Sequence, residues 1–411
     1  GGAKAAGAAS PPGVGESAAG PGTAPATPAA VPLPTGPAGP LPPPTGKRNV
    51  LDGPDAAVRR TVNAQQQMVD LAVRAGSLIV SSVVGRHAFD GAGTLRWTLP
   101  VASFGRSDIG VSADGRTIFV VGMSSLAGAL VAADAATGTK AWSVPLPYPG
   151  VGLGTVVGVS GGLVVVSGLQ PGAADPLNSG FVWAVDARDG TAVWQTTGVS
   201  LVLTSPSGTR TVTGTTVGTT GTRLQLVDPA KDGATGWQKT VPRAFFATPG
   251  VVTGASGAAW AGENLLYASS NAATFTSDVT KWDGATGDKA WSFTAPGVRA
   301  VGADPGSGRV FAVTNNALYC VDGRTGEAVW RTALAGGMFG ITESVKCDAG
   351  NVYTLDATGT VWAVDIATGA TRWKFHGAAR SVTSLPWDAA GGAVYVASSD
   401  NTVAVLDASG L

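Results

Sequence analysis

The chain has 411 residues, 44% of them hydrophobic and only 13% charged, with 60 Gly, 26 Pro and 12 Trp. That is enough to bury a sizeable core, and so much Gly beside so little charge suits short strands and many tight turns. Lys plus Arg equal Asp plus Glu at 27 each. There is thus no net field to hold nucleic acid or an anionic membrane surface, and no RNA-module signature appears.

Residues 1–46 are almost wholly Gly, Ala, Pro, Ser and Thr, closing on PLPTGPAGPLPPPTG. Such a segment has too little apolar surface to offset the entropy of ordering, so it is expected to be a disordered linker. It lacks the basic start and apolar core of a signal peptide. With no initial Met, it is expected to follow a membrane anchor or an enzymatic domain upstream. Residues 47–63, KRNVLDGPDAAVRRTVN, lead into a folded region expected to run from 47 to 411.

Within that region one pattern recurs. It reads LVAADAATGTKAW at 130–142, VWAVDARDGTAVW at 182–194 and VTKWDGATGDKAW at 279–291, then LYCVDGRTGEAVW at 318–330 and VWAVDIATGATRW at 361–373. Asp and Trp stand eight apart in each: Asp134/Trp142, Asp186/Trp194, Asp283/Trp291, Asp322/Trp330 and Asp365/Trp373. Asp90/Trp97 and Asp228/Trp237 are looser copies, and an eighth, VAVLDASG around Asp407, ends before any Trp. The apolar run before each Asp suits a buried strand. The carboxylate accepts backbone N–H groups in the turn, and the Gly takes the positive φ that closes it. The Trp then lies on the outgoing strand, large enough to reach a neighbouring sheet.

Second strands fit between the copies: SLIVSS at 77–82, TIFVVG at 117–122, GLVVVSG at 162–168, RVFAV at 309–313, NVYTL at 351–355 and AVYVASS at 393–399. Four short strands per unit of about forty to fifty residues is the period of a β-propeller blade. Longer spacing before Trp194 and Trp291 predicts longer loops near 170–179 and 254–263. Residues 141–174 carry no charge, but Gly and Ser break every apolar run, so no membrane span is expected there. With eight Asp strands and seven Trp strands, an all-β ring of eight four-stranded antiparallel blades is expected. The missing outer strand is expected from residues 49–63, since an open edge is a pairing hazard. A seven-bladed ring with a terminal appendage is the alternative.

Few residues point to chemistry. The repeated Asp residues lack the alternating ligands and distal Glu of a calcium loop and are read as turn caps. GVGLG at 150–154 and GVSGG around Ser160 precede strands, where a phosphate loop or a nucleophile elbow needs a helix. Polar residues between blade strands are the nominees for ligand contact at a channel mouth: Arg86, His87, Asn315, Asn316, Asp400 and Asn401. Cys320 lies in one repeat and Cys347 at the start of the next. They either form a disulfide across adjacent blades or remain two buried thiols.

The pattern Asp-x-x-Thr-Gly-x-x-x-Trp, preceded by Leu/Val-Tyr/Trp-Ala/Cys-Val, resembles the pyrroloquinoline-quinone (PQQ)-like repeat, over about residues 65–411. The resemblance implies that Trp97, Trp142, Trp194, Trp237, Trp291, Trp330 and Trp373 dock each blade to its neighbour. The family includes quinoprotein dehydrogenases, which hold PQQ over calcium with a vicinal cysteine pair, a Trp platform, acidic and amide ligands and an Asp base. This chain has no adjacent cysteines, and neither His87 nor His376 lies at metal-ligand spacing. No catalytic, metal or cofactor residue is therefore assigned, and no enzyme is expected. The resemblance extends to the assembly lipoprotein BamB and to extracytoplasmic propellers of actinobacterial serine/threonine kinases. It implies a monomeric, extracytoplasmic binding or scaffolding domain for a protein, glycan or small ligand, tethered upstream to a membrane. A PQQ-dependent dehydrogenase and a BamB-like assembly scaffold are the alternatives. Apolar loop tips would favour the scaffold; a polar channel with converging carboxylates would favour the enzyme.

Overall fold

The computed structural model describes residues 58–64, 68–103, 109–124, 127–148, 154–218, 220–243, 257–271, 274–314, 316–334, 345–348, 350–356, 360–376, 387–398 and 400–408. The chain divides between Gly1–Pro43 and Pro44–Leu411, and all described residues belong to the second unit. The expected linker over 1–46 lies outside them.

The described strands form eight four-stranded antiparallel sheets, each an up-and-down meander. Their inner strands, in blade order, are Met68–Arg74, Gly110–Val111, Gly154–Ser160, Leu201–Thr204, Ala258–Ala261, Ala300–Asp304, Val345–Asp348 and Trp387–Ala390. Inner strands of successive blades touch, and the eighth returns to the first, so the sheets close a ring. The protein is an eight-bladed β-propeller, and the seven-bladed alternative is excluded. Among the described residues there is no helix long and apolar enough to cross a membrane.

The last blade is built from both termini. Trp387–Ala390, Ala393–Ala397 and Thr402–Asp407 receive Val58–Asn63 as their outer strand, with Thr61 opposite Ala404 and Val62 opposite Val403. The missing strand thus comes from within the expected segment. The core is a set of seams between blades, each filled by side chains alternating from facing sheets: Val80, Phe89 and Val62 with Val403 and Val405 at the closing seam, for example. Residues 170–179 form the expected long loop, with a 3-10 turn at Pro176–Asn178 capped by Asp175. The other expected loop is corrected in part, since Ala258–Ala261 is the inner strand of the fifth blade.

Because every blade is threaded from the ring's centre outward, its turns alternate between two faces. One carries the turns between second and third strands, together with the links between blades. The other carries the turns after the inner strands and the Asp turns before the outer strands. We call these the linker face and the Asp-turn face.

Candidate functional site: two faces and a charged seam

The repeat residues weld the seams. Asp134 Oδ1 accepts the amides of Ala136 at 3.0 Å and Thr137 at 2.8 Å, and Asp283 and Asp322 do the same in their turns. Asp90 caps through Ala92 and Thr94, Asp186 through Arg188, Asp228 through Ala230 and Asp365 through Thr368. Asp407 instead pairs with Arg59 of the N-terminal strand. Hydrogen bonds from Arg188 hold the Asp186 carboxyl down at about 2. Amides and hydroxyls likewise depress Asp90, Asp134 and Asp283.

Every turn but that of Asp90 then receives the Trp of the preceding blade. The indole Nε1 of Trp97 donates to Ala135 O at 3.0 Å and Trp142 to Ala187 O at 3.2 Å. Trp237 donates to Gly284 O at 3.0 Å and Trp291 to Gly323 O at 2.9 Å. Trp330 reaches Ile366 O at 2.8 Å and Trp373 reaches Ala408 O at 3.1 Å. The turn glycine lies flat on the ring: at Gly326 (φ +79°) a Cβ would stand 2.8 Å from Trp291 Cγ. Trp194 packs the same way under Gly233.

Sequence reasoning missed a charged latch at the ring's centre. The inner-strand side chain that points at the following blade is small in most seams: Ala72, Gly110, Gly158, Ala259 and Gly302, with Leu203 in the fourth. In the seventh and eighth blades it is Lys346 and Asp388. Buried Asp388 accepts from Lys346 Nζ, from Arg74 Nη1 at 3.0 Å and from the Val73 amide at 2.8 Å. One carboxylate thereby ties blades seven, eight and one. Burial pushes its pKa up, but Lys346, Arg74 and the Val73 amide outweigh that, and the net shift is downward. The signal was legible only as charge in a strand slot that is otherwise small.

The nominated channel-mouth residues do not converge. Arg86 and His87 are corrected from loop to strand: both lie buried in Arg86–Phe89. The Arg86 guanidinium reaches into the second blade, donating to Val121 O at 2.8 Å, and burial lowers its pKa to about 10. His87 sits between Ser82 Oγ at 3.1 Å and Thr98 Oγ1 at 3.2 Å, and burial, then Arg86, lowers its pKa. Asn316 accepts from Thr314 and the Leu334 amide within its turn. Asp400 caps Thr402, and Asn401, at φ +64°, accepts the Ala64 amide. Asn315 lies outside the described residues. Cys320 and Cys347 are free thiols packed in the seam between blades six and seven. Burial pushes Cys320 up to about 12 and Cys347 higher still.

The buried inner-strand carboxylate of Asp388 is engaged by two cations and an amide, and among the described residues no group of three His, Cys, Asp or Glu could hold a metal.

What the ring does present is a contrast between faces. Phe275 is 70% exposed, Val84 54%, Val83 41% and Val217 37%, and all four lie at second-to-third turns on the linker face. Phe275 holds φ +54°, unusual for a bulky residue, with its carbonyl taken by the Gly297 amide at 3.1 Å. Asn178 clasps both backbone groups of Thr216, at 2.7 and 3.0 Å, beside Val217. The only exposed charges among the described residues of these turns are Asp175 and Asp400. The Asp-turn face, by contrast, carries charge in nearly every turn, among them Arg188, Lys231, Arg324 and Glu327.

The sequence matches the family model described as outer membrane protein assembly factor BamB over residues 81–291 and 275–410. No curated protein matches it. Among solved structures it is similar to BamB from Moraxella catarrhalis, at 18% identity and TM-score 0.60, covering 86% of this chain and 99% of that one. It is similar also to the computationally designed Ika8 protein, at 15% identity and TM-score 0.58, covering 86% of this chain and 100% of that one. A quinohemoprotein alcohol dehydrogenase from Pseudomonas putida HK5 aligns at 14% identity and TM-score 0.57, covering 87% and 77%. Those identities speak for the fold alone. The family match covers most of the ring, and the chain belongs to the PQQ-like repeat propellers described as outer membrane protein assembly factor BamB.

Proposed function

We propose that this chain is a non-enzymatic, extracytoplasmic binding scaffold that meets its partner protein with the linker face. The observation that carries the reading is the placement of Val83, Val84, Val217 and Phe275 at second-to-third turns of one face, where Asp175 and Asp400 are the only exposed charges among the described residues of those turns. Apolar side chains held on rigid turns bind by burial and lose little entropy in doing so. The buried Asp388 carboxylate is occupied by Lys346, Arg74 and the Val73 amide, which supports a structural role for it. Family membership supports the same reading, and supports an extracytoplasmic setting. The N-terminal strand begins at Val58, opposite Leu406, on the Asp-turn face.

The test is partner recovery from the native envelope after cross-linking, comparing the wild type with Phe275→Asp, Val217→Asp and Val84→Asp. A stoichiometric partner should be lost with these and kept with Leu95→Asp, an exposed residue on an outer strand. Equal recovery by all four variants would sink the reading. So would a saturable rise in unfolding midpoint with PQQ plus calcium, since a ligand at 100 times its Kd adds about 2.7 kcal/mol to the native state.

A further inference from the structure

A propeller hides most strand edges by nesting sheets, but the outer strand of every blade remains an edge, with a row of backbone N–H and C=O groups facing outward. Among the described residues no strand pairs with any of these eight edges. Soluble proteins guard such edges with Lys, Arg or Pro, because a bare one accepts foreign strands.

Seven of the eight edges are guarded. Leu95–Leu99 carries Arg96, Lys140–Pro145 carries Lys140 and Pro145, and Ala234–Pro242 carries Lys239 and Pro242. Lys289–Pro296 carries Lys289 and Pro296, Ala328–Ala333 carries Arg331, Thr371–His376 carries Arg372 and Lys374, and Val58–Asn63 carries Arg59 and Arg60. The third blade alone has none. Its outer strand, Ala192–Val199, reads AVWQTTGV, with Val193, Gln195 and Thr197 exposed. At the end toward the linker face the Gly198 carbonyl is already taken by the Thr215 hydroxyl at 3.4 Å, and no described strand pairs with residues 192–197 on their outer side.

We infer that residues 192–197 are a docking edge at which an extended, uncharged segment of a partner polypeptide adds as a fifth strand to the third blade. The main-chain ladder supplies the attraction, and the exposed Val and Thr side chains favour β-branched neighbours on the added strand. Within residues 192–197 a strand bearing the cations found on the other edges would meet no anionic side chain, exposed Asp189 standing in the turn before them, so along the ladder the fit is to a neutral segment. The inference rests on the scaffold reading but uses a different surface from the linker face.

The chain carries its own controls. Val193 precedes Trp194 as Arg96 precedes Trp97 and Arg372 precedes Trp373, and Gln195 follows it as Lys374 follows Trp373. Val193→Arg with Gln195→Lys therefore installs the pair of guards that the seventh blade already carries. The probe is a fluorescent octapeptide of alternating Thr and Val, with a twin N-methylated at alternate residues to block one ladder. Hydrogen exchange of the full chain should show peptide-dependent protection confined to residues 192–197. The double variant should weaken binding at least tenfold with its unfolding midpoint unchanged, and the methylated twin should not bind. Arg331→Gln should open a second protected edge at Ala328–Ala333. The inference is overturned if the peptide does not bind, if it protects several wild-type edges equally, or if the methylated twin binds as well. It is overturned too if sedimentation shows the chain pairing with itself through this edge, which would make the occupant a second copy. Because the linker-face variants leave this edge intact, a failure here leaves the proposed function standing, and the reverse.

Discussion

At the scale of single residues, the ring is held by groups whose removal leaves something stranded. Asp388 is buried, and it neutralises Lys346 and Arg74, whose side chains are 28% and 33% exposed. Asp388→Ala leaves those cations facing each other, and because water still reaches both, the cost should fall below the roughly 3–5 kcal/mol of a fully buried pair. Chemical denaturation should show the loss, and Asp388→Asn, which keeps the shape and some hydrogen bonding, should lose less. An equal loss from both would mean that packing, and not charge, holds the seam. Gly326→Ala is a second sensitive site, because a left-handed backbone costs a Cβ about 1–2 kcal/mol before the clash with Trp291 is added. The same substitution at Gly76, also at positive φ but with nothing near its Cβ, should cost only the conformational part.

Residue chemistry also sets the response to acid. Asp90, Asp134, Asp186, Asp283, Asp322, Asp365 and Asp388 all titrate below their ordinary value in the folded ring. The unfolded chain binds more protons than the folded one below about pH 4, so stability present above that pH is lost as the pH falls. Burial raises the Cys320 and Tyr353 pKa values to about 12, so their contribution is present at neutral pH and fades as the pH rises above about 9 to 10. Buried His87, whose pKa is lowered in the folded ring, begins to cost stability as the pH falls below about 6.5, so the unfolding midpoint should be flat only from about pH 7 to 8, decline slightly toward pH 5 and fall steeply outside that range. A midpoint still flat at about pH 3 would show that the turn carboxylates do not couple to folding.

At the scale of the element, the hairpin from Asp to Trp is the unit that was legible without coordinates. Its Asp, Gly and Trp face local demands: amides to accept, a positive φ, and a gap to a neighbour. Identical demands leave an identical trace in each repeat. The charged latch left no such trace, because Lys346 and Asp388 belong to inner strands whose register is visible only once the seams are known. Arg86 and His87 misled for a related reason: a polar pair beside Gly85 reads as a loop, yet Ser82, Thr98 and the Val121 carbonyl satisfy both inside a strand. The bare edge of the third blade was in plain sight as letters, but it acquires meaning only by comparison with seven known edges. Truncating one docking Trp tests the unit itself. Trp373, fully buried and bonded to Ala408 O, should cost about 3–5 kcal/mol as Trp373→Ala, whereas half-buried Trp142 should cost less.

At the scale of the whole molecule, seven seams join blades that are continuous along the chain, and the eighth joins its two ends. That seam differs in kind. The register position of the docking Trp is held in the last blade by Arg60, opposite Val405, and Val62 covers the first blade's turn glycine, Gly93. Three devices compensate for the missing indole: the Asp388 latch, the Arg59–Asp407 pair and the burial of Val62 and Ala64. Closure thus depends on a short segment that completes the last blade and packs on the first. Removing residues 1–43, which form the separate first unit, should leave the unfolding midpoint unchanged. Removing residues 1–63 takes away the outer strand, the pair to Asp407 and the burial of Val62, worth about 1.5–3 kcal/mol by itself. It also bares the Thr402–Asp407 edge, which has no cation of its own. The shorter chain should unfold at least several degrees lower and self-associate through that edge, and a synthetic peptide spanning 58–64 should restore both properties when added in excess. If the peptide restores neither while the shorter chain remains folded, the ring is closed by its inner strands, and the N-terminal strand is only a cover.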